Sequence, residues 1–550
     1  MSAVVEGGEK SSPFERIKGC IPDYYTVVPL LLIIVTAFSV RIYLLRFYDV
    51  ISSDGIGYVA AARNLATGDM NSLSSNGFYV FMTWLVGQFT PDFELSGRLV
   101  SVIFGSVLVV PLYLLGSELF SRRTALAVCL VTSVWPSLLG WSCEVMTQAM
   151  FTTLIVTGYY LVWRMCRDQS PRFAAWAGIT LGLAFLTRTE AALLFLALPV
   201  FPLVMMNGDN RRIMARPILA YAGAFIVLCG MHVILLKVAT GSWQLSVKTS
   251  AALNDAVGRY LNIEELSFIP GVKQPGYLDI ITSYPGFLWT NSGRNLVDTW
   301  NTMVPLPLWI LAALGFSANG FGKTANARRL YLVTTFSPFA VIILFYYIGP
   351  EYTQPYLPVL FLWCAEGARM AERALSQMLA AVRLPIPETV AAYAPFTLIA
   401  SFIYASVLLA SQIPSNNDHS NYSFQEDGAR RDHKRIGLLL KANLPPGKIM
   451  TRSGRIAYYA ERDWMTIPNT DVDGIFKAAV EGGARFLVLD GLITLARPEL
   501  ASLMSPLITH QYPERFFYVS DPKKIDAGLF MLIYRDPSSV GVIVHEIERR

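Results

Sequence analysis

Charge is scarce in this sequence. Asp, Glu, Lys and Arg make up only 15% of its 550 residues and hydrophobic residues 53%, whereas soluble domains carry about 25% charged residues. Together with a mean hydropathy of +0.42, this excludes an ordinary soluble protein and indicates a membrane protein. The excess of positive charge is small, +5, and the basic residues fall in separated clusters between apolar runs. Such clusters mark topology and exclude a nucleic-acid partner. Cysteine is sparse as well: Cys20, Cys129, Cys143, Cys166, Cys229 and Cys364 all lie in or beside apolar segments. That placement argues against a disulfide framework, and the absence of any C-x-x-C pair argues against structural zinc. No G-x-G-x-x-G follows a strand pattern, so no dinucleotide site is expected. The polar N-terminus lacks a small-residue cleavage pattern, and the first apolar run is expected to remain as a span.

Long apolar runs dominate what is present. A hydrocarbon core about 30 Å thick takes roughly 20 helical residues, and the chain supplies about eleven such runs. They lie near 26–46, 96–117, 123–141, 145–163, 174–188, 190–206, 217–237, 302–318, 330–348, 353–367 and 389–411. Alternate connections carry Arg122 and Arg123, then Arg164, Arg167 and Arg172, then Arg211, Arg212 and Arg216, then Lys323, Arg328 and Arg329, then Arg369, Arg373 and Arg383. These are expected to be cytoplasmic, which places the region after residue 411 outside. The expected fold is an α-helical polytopic membrane protein over residues 1–411, with long outer loops at 47–95 and 238–301. The second loop is rich in Tyr and Trp, which anchor segments at headgroup depth. Beyond Pro414-Ser415-Asn416-Asn417-Asp418 the pattern alternates helices (Asp432–Asn443, Asp473–Gly482, Pro498–Ser505) with strands (Lys448–Thr451, Trp464–Ile467, Arg485–Leu489, Phe516–Val519, Leu529–Tyr534). This predicts an extracytoplasmic α/β domain over 412–550.

Ionisable side chains at membrane depth are costly and tend to be paired or functional. The predicted topology sends a set of them to the outer face: Arg41, Arg46, Asp54, Arg63, Arg98, Glu144, Arg188, Glu190 and Glu351, with Tyr352. Asp54 stands just past the first span in Ser52-Ser53-Asp54-Gly55-Ile56-Gly57-Tyr58. Two roles are open to it: a helix cap, since Ser and Asp both cap well, or a carboxylate base at the lipid boundary. Arg41 and Arg98 could snorkel to the headgroups, Glu190 could pair with Arg188, and Glu144 could cap its helix.

Read in order, Asp54 in its Ser-Asp-Gly-Ile-Gly-Tyr setting, Leu95-Ser-Gly-Arg98, Trp141-Ser-Cys-Glu144 and Leu186-Thr-Arg188-Thr-Glu190 resemble the polytopic GT-C glycosyltransferases. The resemblance, over roughly residues 26–367, is to the group of protein O-mannosyltransferases and aminoarabinose transferases. It implies transfer of a sugar from a polyprenyl-phosphate donor to a protein, lipid or glycan acceptor on the extracytoplasmic side of the plasma (inner) membrane. It also implies that Asp54 is the catalytic carboxylate and Glu144 a second acid. The chain departs from the family at Pro350-Glu351-Tyr352, where relatives often have Arg before the Tyr, and at Asn76–Val80, which lacks their His/Pro-rich or Lys-containing turn. A departing lipid phosphate needs fixed positive charge, which Arg supplies bidentately; Arg188 is the first candidate, then Arg98 and Arg63, with Lys248 or Arg259 as alternates. Tyr58, Glu190, Glu351 and Tyr352 are candidate substrate contacts. No cofactor is required by this chemistry, although Asp54 with Glu144 could hold a hard divalent cation through oxygen. The competing reading is a polytopic lipid or solute transporter with an extracytoplasmic binding domain, which predicts polar groups near mid-membrane; His232 is the clearest one.

Overall fold

The computed structural model describes residues 24–205, 208–246, 249–261, 276–317, 323–346, 350–382, 428–443, 446–468, 470–490, 516–519, 531–534 and 542–546. The first apolar run forms the helix Tyr24–Leu44, 21 residues long, which rises about 31 Å and so matches a hydrocarbon core. Each expected apolar stretch up to 353–367 coincides with a helix or a pair of broken helices; 389–411 and the boundary at 411 lie outside the described residues.

Among the described residues, four helices are long and apolar enough to cross a membrane: Val27–Phe47, Phe93–Leu119, Arg212–Thr240 and Ala325–Phe345. The pair Arg122–Val134 and Pro136–Cys143, bent by 54°, makes a fifth if it is one span. This is fewer than the eleven runs expected, for two physical reasons. Some segments are short, such as Leu306–Ser317 with 12 residues. Others carry polar groups that face protein instead of lipid: in Gln148–Asp168, the side chains of Gln148, Thr152 and Thr153 are buried.

The helices pack through small residues, which let backbones approach where apolar lipid offers little drive for association. In the pair Leu306–Ser317 and Leu357–Val382, Gly315 and Gly367 face each other, and a Cβ on either would lie 2.9 Å from the other's backbone nitrogen. In the pair Pro171–Thr187 and Gly208–Thr240, a Cβ at Gly178 would run into the Tyr221 carbonyl.

Arg41 corrects an expectation. It does not snorkel outward: it is fully buried, and its Nη1 donates to the Ala37 carbonyl at 2.9 Å and the Ser133 carbonyl at 3.1 Å. Ser133 is in the last turn before Pro136 starts the next helix. A helix end leaves carbonyls without intrahelical donors, and the Arg41 guanidinium supplies one there.

The two long connections expected outside are ordered around this bundle. Residues 47–95 hold the helices Ser53–Ala66 and Gly77–Gly87. In the second loop, Thr249–Leu261, Tyr277–Ser283 and Phe287–Thr302 share a core of Leu253, Ala256, Val257, Ile280 and Phe287. That loop is tied down by Asn295, whose Nδ2 donates to the carbonyls of Ile343 (2.8 Å) and Tyr346 (2.7 Å) at the end of Ser337–Phe345.

The C-terminal part holds a six-stranded sheet made of β1 (Lys448–Thr451), β2 (Trp464–Met465), β3 (Ala484–Asp490), β4 (Phe516–Val519), β5 (Met531–Tyr534) and β6 (Val542–Glu546). Its order is β2-β1-β3-β6-β5-β4, parallel from β2 to β3 and antiparallel onward. The helices Gly428–Asn443 and Gly454–Tyr459 cover it, with Ile436, Leu440, Ile449, Ile456, Phe486 and Val488 between them. The expected helix Pro498–Ser505 lies outside the described residues. The helix Gly454–Tyr459 docks on the first outer loop: Arg455 Nε donates to the Ile51 carbonyl at 3.0 Å, and the Ile51 N–H donates to Tyr459 Oη at 2.8 Å.

Gly367→Val should lower the melting temperature of the detergent-solubilised protein, since forced overpacking costs typically 1–3 kcal/mol, roughly. An unchanged midpoint in a thermal-shift assay would contradict the close helix contact.

Candidate active site

Asp54 lies in the first turn of Ser53–Ala66 with its side chain exposed, but it is not the cap. That role falls to Ser52, whose Oγ accepts from the Gly55 N–H at 3.1 Å and donates to the Val145 carbonyl at 3.0 Å. The Asp54 carboxylate thereby stays exposed at the positive end of a helix, where negative charge is favoured. Gly55 is required here, because a Cβ would lie 2.9 Å from the Val145 carbonyl.

The same contact brings the Glu144 turn beside Asp54's helix. Glu144 itself occupies the C-cap of Pro136–Cys143, half-buried. Ser101 Oγ holds the next carbonyl, that of Met146, at 3.0 Å, and the Thr147 hydroxyl hydrogen-bonds Tyr58. Tyr58 is buried against the edge of Tyr79, with ring centroids 5.3 Å apart, and its hydroxyl donates to Asp54 Oδ2 at 3.4 Å. Burial, and then the neighbouring Asp54 charge, raise the Tyr58 phenol well above its ordinary value, while Arg188 acts in the opposite sense. Tyr58 therefore stays protonated, beside the carboxylate and within the electrostatic reach of the guanidinium.

Arg188 caps the C-terminal end of Pro171–Thr187. Its Nη2 and Nε donate to Glu190 Oε1 at 2.7 and 3.2 Å, and its guanidinium carbon lies 5.6 Å from the Phe151 ring centroid and 5.2 Å from that of Tyr352. The Glu190 carboxylate holds the guanidinium, and Arg keeps its charge at any working pH. Asn76, in the left-handed conformation at φ 53°, donates from Nδ2 to the Thr187 carbonyl at 2.6 Å. The first outer loop thus grips the turn that presents Arg188.

Asp54, Tyr58, Arg188, Glu190 and Tyr352 form one connected group, with the Glu144 turn packed against it. Other candidates for the donor phosphate are placed elsewhere. Arg98 pairs with Glu94 at 2.7 Å, and Arg63 lies over the Tyr458 ring at 5.4 Å; both line a separate cavity against the C-terminal part. Arg259 pairs with Asp298 at 2.8 Å within the second loop. Lys248 lies outside the described residues, as does the side chain of Glu351, whose backbone belongs to the short helix Pro350–Thr353. Among the described residues no three His, Cys, Asp or Glu side chains gather as a metal site. His232, the polar group expected at mid-membrane, packs edge-on against Phe185 with centroids 5.4 Å apart.

Residues that were not anticipated do much of the positioning. Ser52 and Thr147 are ordinary capping residues in sequence, and Asn76 before Gly77 is a turn signal whose partner 111 positions away no local pattern reveals. Arg455 and Tyr459 hold both polar groups of the Ile51 peptide, three residues before Asp54. Tyr459→Phe leaves the Ile51 N–H without its partner, a loss of roughly 1–3 kcal/mol. Amide hydrogen exchange across residues 49–53 should quicken by about tenfold, and unchanged exchange would show that the contact does not hold this loop.

A family model for dolichyl-phosphate-mannose-protein mannosyltransferase matches residues 78–236, a stretch that contains Arg98, Glu144, Arg188 and Glu190 but not Asp54. No curated protein matches the chain by sequence. Among solved structures, the oligosaccharyltransferase of Archaeoglobus fulgidus in its apo form is similar with a TM-score of 0.56 at 12% identity, over 85% of this chain and 70% of that one. The same organism's enzyme AglB, in complex with an inhibitory peptide and a dolichol-phosphate, is similar with a TM-score of 0.53 at 13% identity, over 96% and 75%. ArnT from Cupriavidus metallidurans bound to undecaprenyl phosphate is similar with a TM-score of 0.55 at 13% identity, over 95% and 98%. The chain shares the fold of these solved glycosyltransferases, and within it residues 78–236 match the mannosyltransferase family model.

Proposed function

We propose that this protein transfers a sugar from a polyprenyl-phosphate donor to an acceptor hydroxyl or amine on the extracytoplasmic face of the plasma (inner) membrane, with inversion at the anomeric carbon. The observation that carries the reading is the exposed Asp54 carboxylate, 3.4 Å from the Tyr58 hydroxyl, on a loop that Asn76 ties to the turn presenting Arg188. That ArnT and AglB bind polyprenyl phosphates supports this donor class. The second-loop helices and the C-terminal sheet, taken as a separate extracytoplasmic domain from about residue 412, lie on the same side of the membrane.

Each group has a definite task. The acceptor O–H or N–H gives its proton to the Asp54 carboxylate as its lone pair attacks the anomeric carbon, a step that needs contact at about 3 Å. The bond from that carbon to the phosphate oxygen breaks, and its electron pair leaves with the phosphate. The leaving phosphate is already stable in water, so the site needs fixed charge more than a general acid. Arg188 provides it: Glu190 takes Nε and Nη2, which leaves the Nη1 hydrogens for a phosphate oxygen. Glu190 thus acts by aligning the guanidinium, with Tyr352 and Phe151 fixing its plane. Tyr58 donates to Asp54 and keeps the carboxylate turned toward the acceptor. Glu144, on the turn packed against this helix, orients the acceptor.

Asp54→Asn keeps the shape and removes the base. It should abolish transfer, a fall of at least about a hundredfold, in purified, correctly inserted protein offered a panel of radiolabelled polyprenyl-phosphate sugars; wild-type turnover would end the proposal. Arg188→Ala should weaken donor-lipid binding about tenfold or more, the loss expected for charge-assisted hydrogen bonds. Unchanged donor affinity would assign the phosphate to another cation.

A further inference from the structure

A cavity of about 430 Å³ lies where the first loop meets the C-terminal part, and its walls hold neither Asp54 nor Arg188. Arg63, Glu94 and Arg98 form one wall, and Lys441, Tyr458 and Glu461 the other. Its size is that of a small-ligand site. We propose that it binds a neutral, hydroxyl-rich saccharide unit of a glycan acceptor, at a distance from the reacting end; this rests on the glycosyltransfer reading above.

The charges in the cavity argue for a neutral ligand. Arg98 is paired with Glu94 at 2.7 Å, Lys441 with Glu461 at 2.7 Å and Lys434 with Asp49 at 3.7 Å; Asp92 also lines the cavity, and Arg63 lies over the Tyr458 ring. A phosphate on Arg98, Lys434 or Lys441 would compete with the carboxylate that each already holds, and Asp92 in the lining would repel it. A sugar hydroxyl is both donor and acceptor, so it can donate to those carboxylates and accept from Arg63 with every pair intact. The Tyr458 ring adds a flat apolar face, and its hydroxyl, which donates to Glu94 Oε2 at 3.2 Å, fixes the ring in place.

Two links connect the cavity to the chemistry. Arg63 is on the same helix as Asp54, nine residues on, roughly 14 Å along its axis at 1.5 Å per residue. Tyr459 Oη lies 3.4 Å from Glu94 Oε1 and also accepts the Ile51 N–H, so the wall of the cavity is continuous with the loop that carries Asp54. Binding energy gained at such a remote point can be used to orient the reacting end.

The test is saturation-transfer NMR on the purified full chain in detergent, with neutral oligosaccharides of two to four sugars and the same compounds carrying a phosphate, alongside transfer assays. Neutral compounds should bind, with no gain from the phosphate. Tyr458→Ala should weaken binding about tenfold, as expected for loss of one aromatic face, and the rim variant Glu461→Gln, whose side chain is 66% exposed, should also weaken it. Both variants should raise the acceptor KM while leaving donor-lipid affinity alone, and Asp54→Asn should bind saccharide like the wild type without transferring. Absence of neutral binding, indifference to both variants, or preference for the phosphorylated compounds would overturn the saccharide site, even with Asp54-dependent transfer intact. Transfer by Asp54→Asn would instead overturn the catalytic reading on which the acceptor role rests.

Discussion

One hydroxyl organises this site. Ser52 Oγ accepts from Gly55 and donates to the Val145 carbonyl, and in doing so it starts a helix and joins two outer connections that are 93 residues apart in sequence. Without the cap, Asp54 would compete for the free N–H groups of the first turn, as Asp commonly does. With it, the carboxylate is released to the surface at the helix's positive end. The close approach this needs is possible because Gly55 and Gly97 both leave room for Val145.

The same economy of polar groups holds through the rest of the molecule. Arg41 supplies a donor where the Pro136 break leaves carbonyls exposed, Asn295 does so at the end of Ser337–Phe345, and Arg455 with Tyr459 satisfies the Ile51 peptide. In a low-dielectric setting an unpaired backbone group is costly. Side chains that look redundant in sequence are therefore the ones that fix where the outer segments sit. The C-terminal part takes a direct share in this, since its helix Gly454–Tyr459 holds the loop leading to Asp54.

The apolar runs of the bundle and most strands of the C-terminal sheet were legible in the sequence, because hydrophobic period and run length are local properties. Strand Val542–Glu546 offers only a short Val-Ile-Val run, and Gly454–Tyr459 is too short to show a period. Asp54 was found by its place past a span, yet Ser52, Ser53 and Asp54 are equivalent cap candidates until the partner at Val145 is known. The arginines divide in the same way. Topology assigns Arg63, Arg98, Arg188 and Arg259 to one face of the membrane, but it says nothing of lateral position. Only the packed structure separates Arg188, beside Tyr58, from Arg63 and Arg98 at the cavity against the C-terminal part and from Arg259 on its own loop. Hydropathy likewise overcounts or undercounts spans where Thr and Gln face protein, as in Gln148–Asp168.

The most direct measurement is an electron cryomicroscopy structure of the full chain with a bound polyprenyl phosphate. The account predicts the phosphate against the Arg188 guanidinium, with the lipid tail leaving toward the bundle surface and Asp54 facing the open side where an acceptor would enter. A phosphate held by Arg63 and Arg98, or found on the opposite face of the membrane from Asp54, would contradict it.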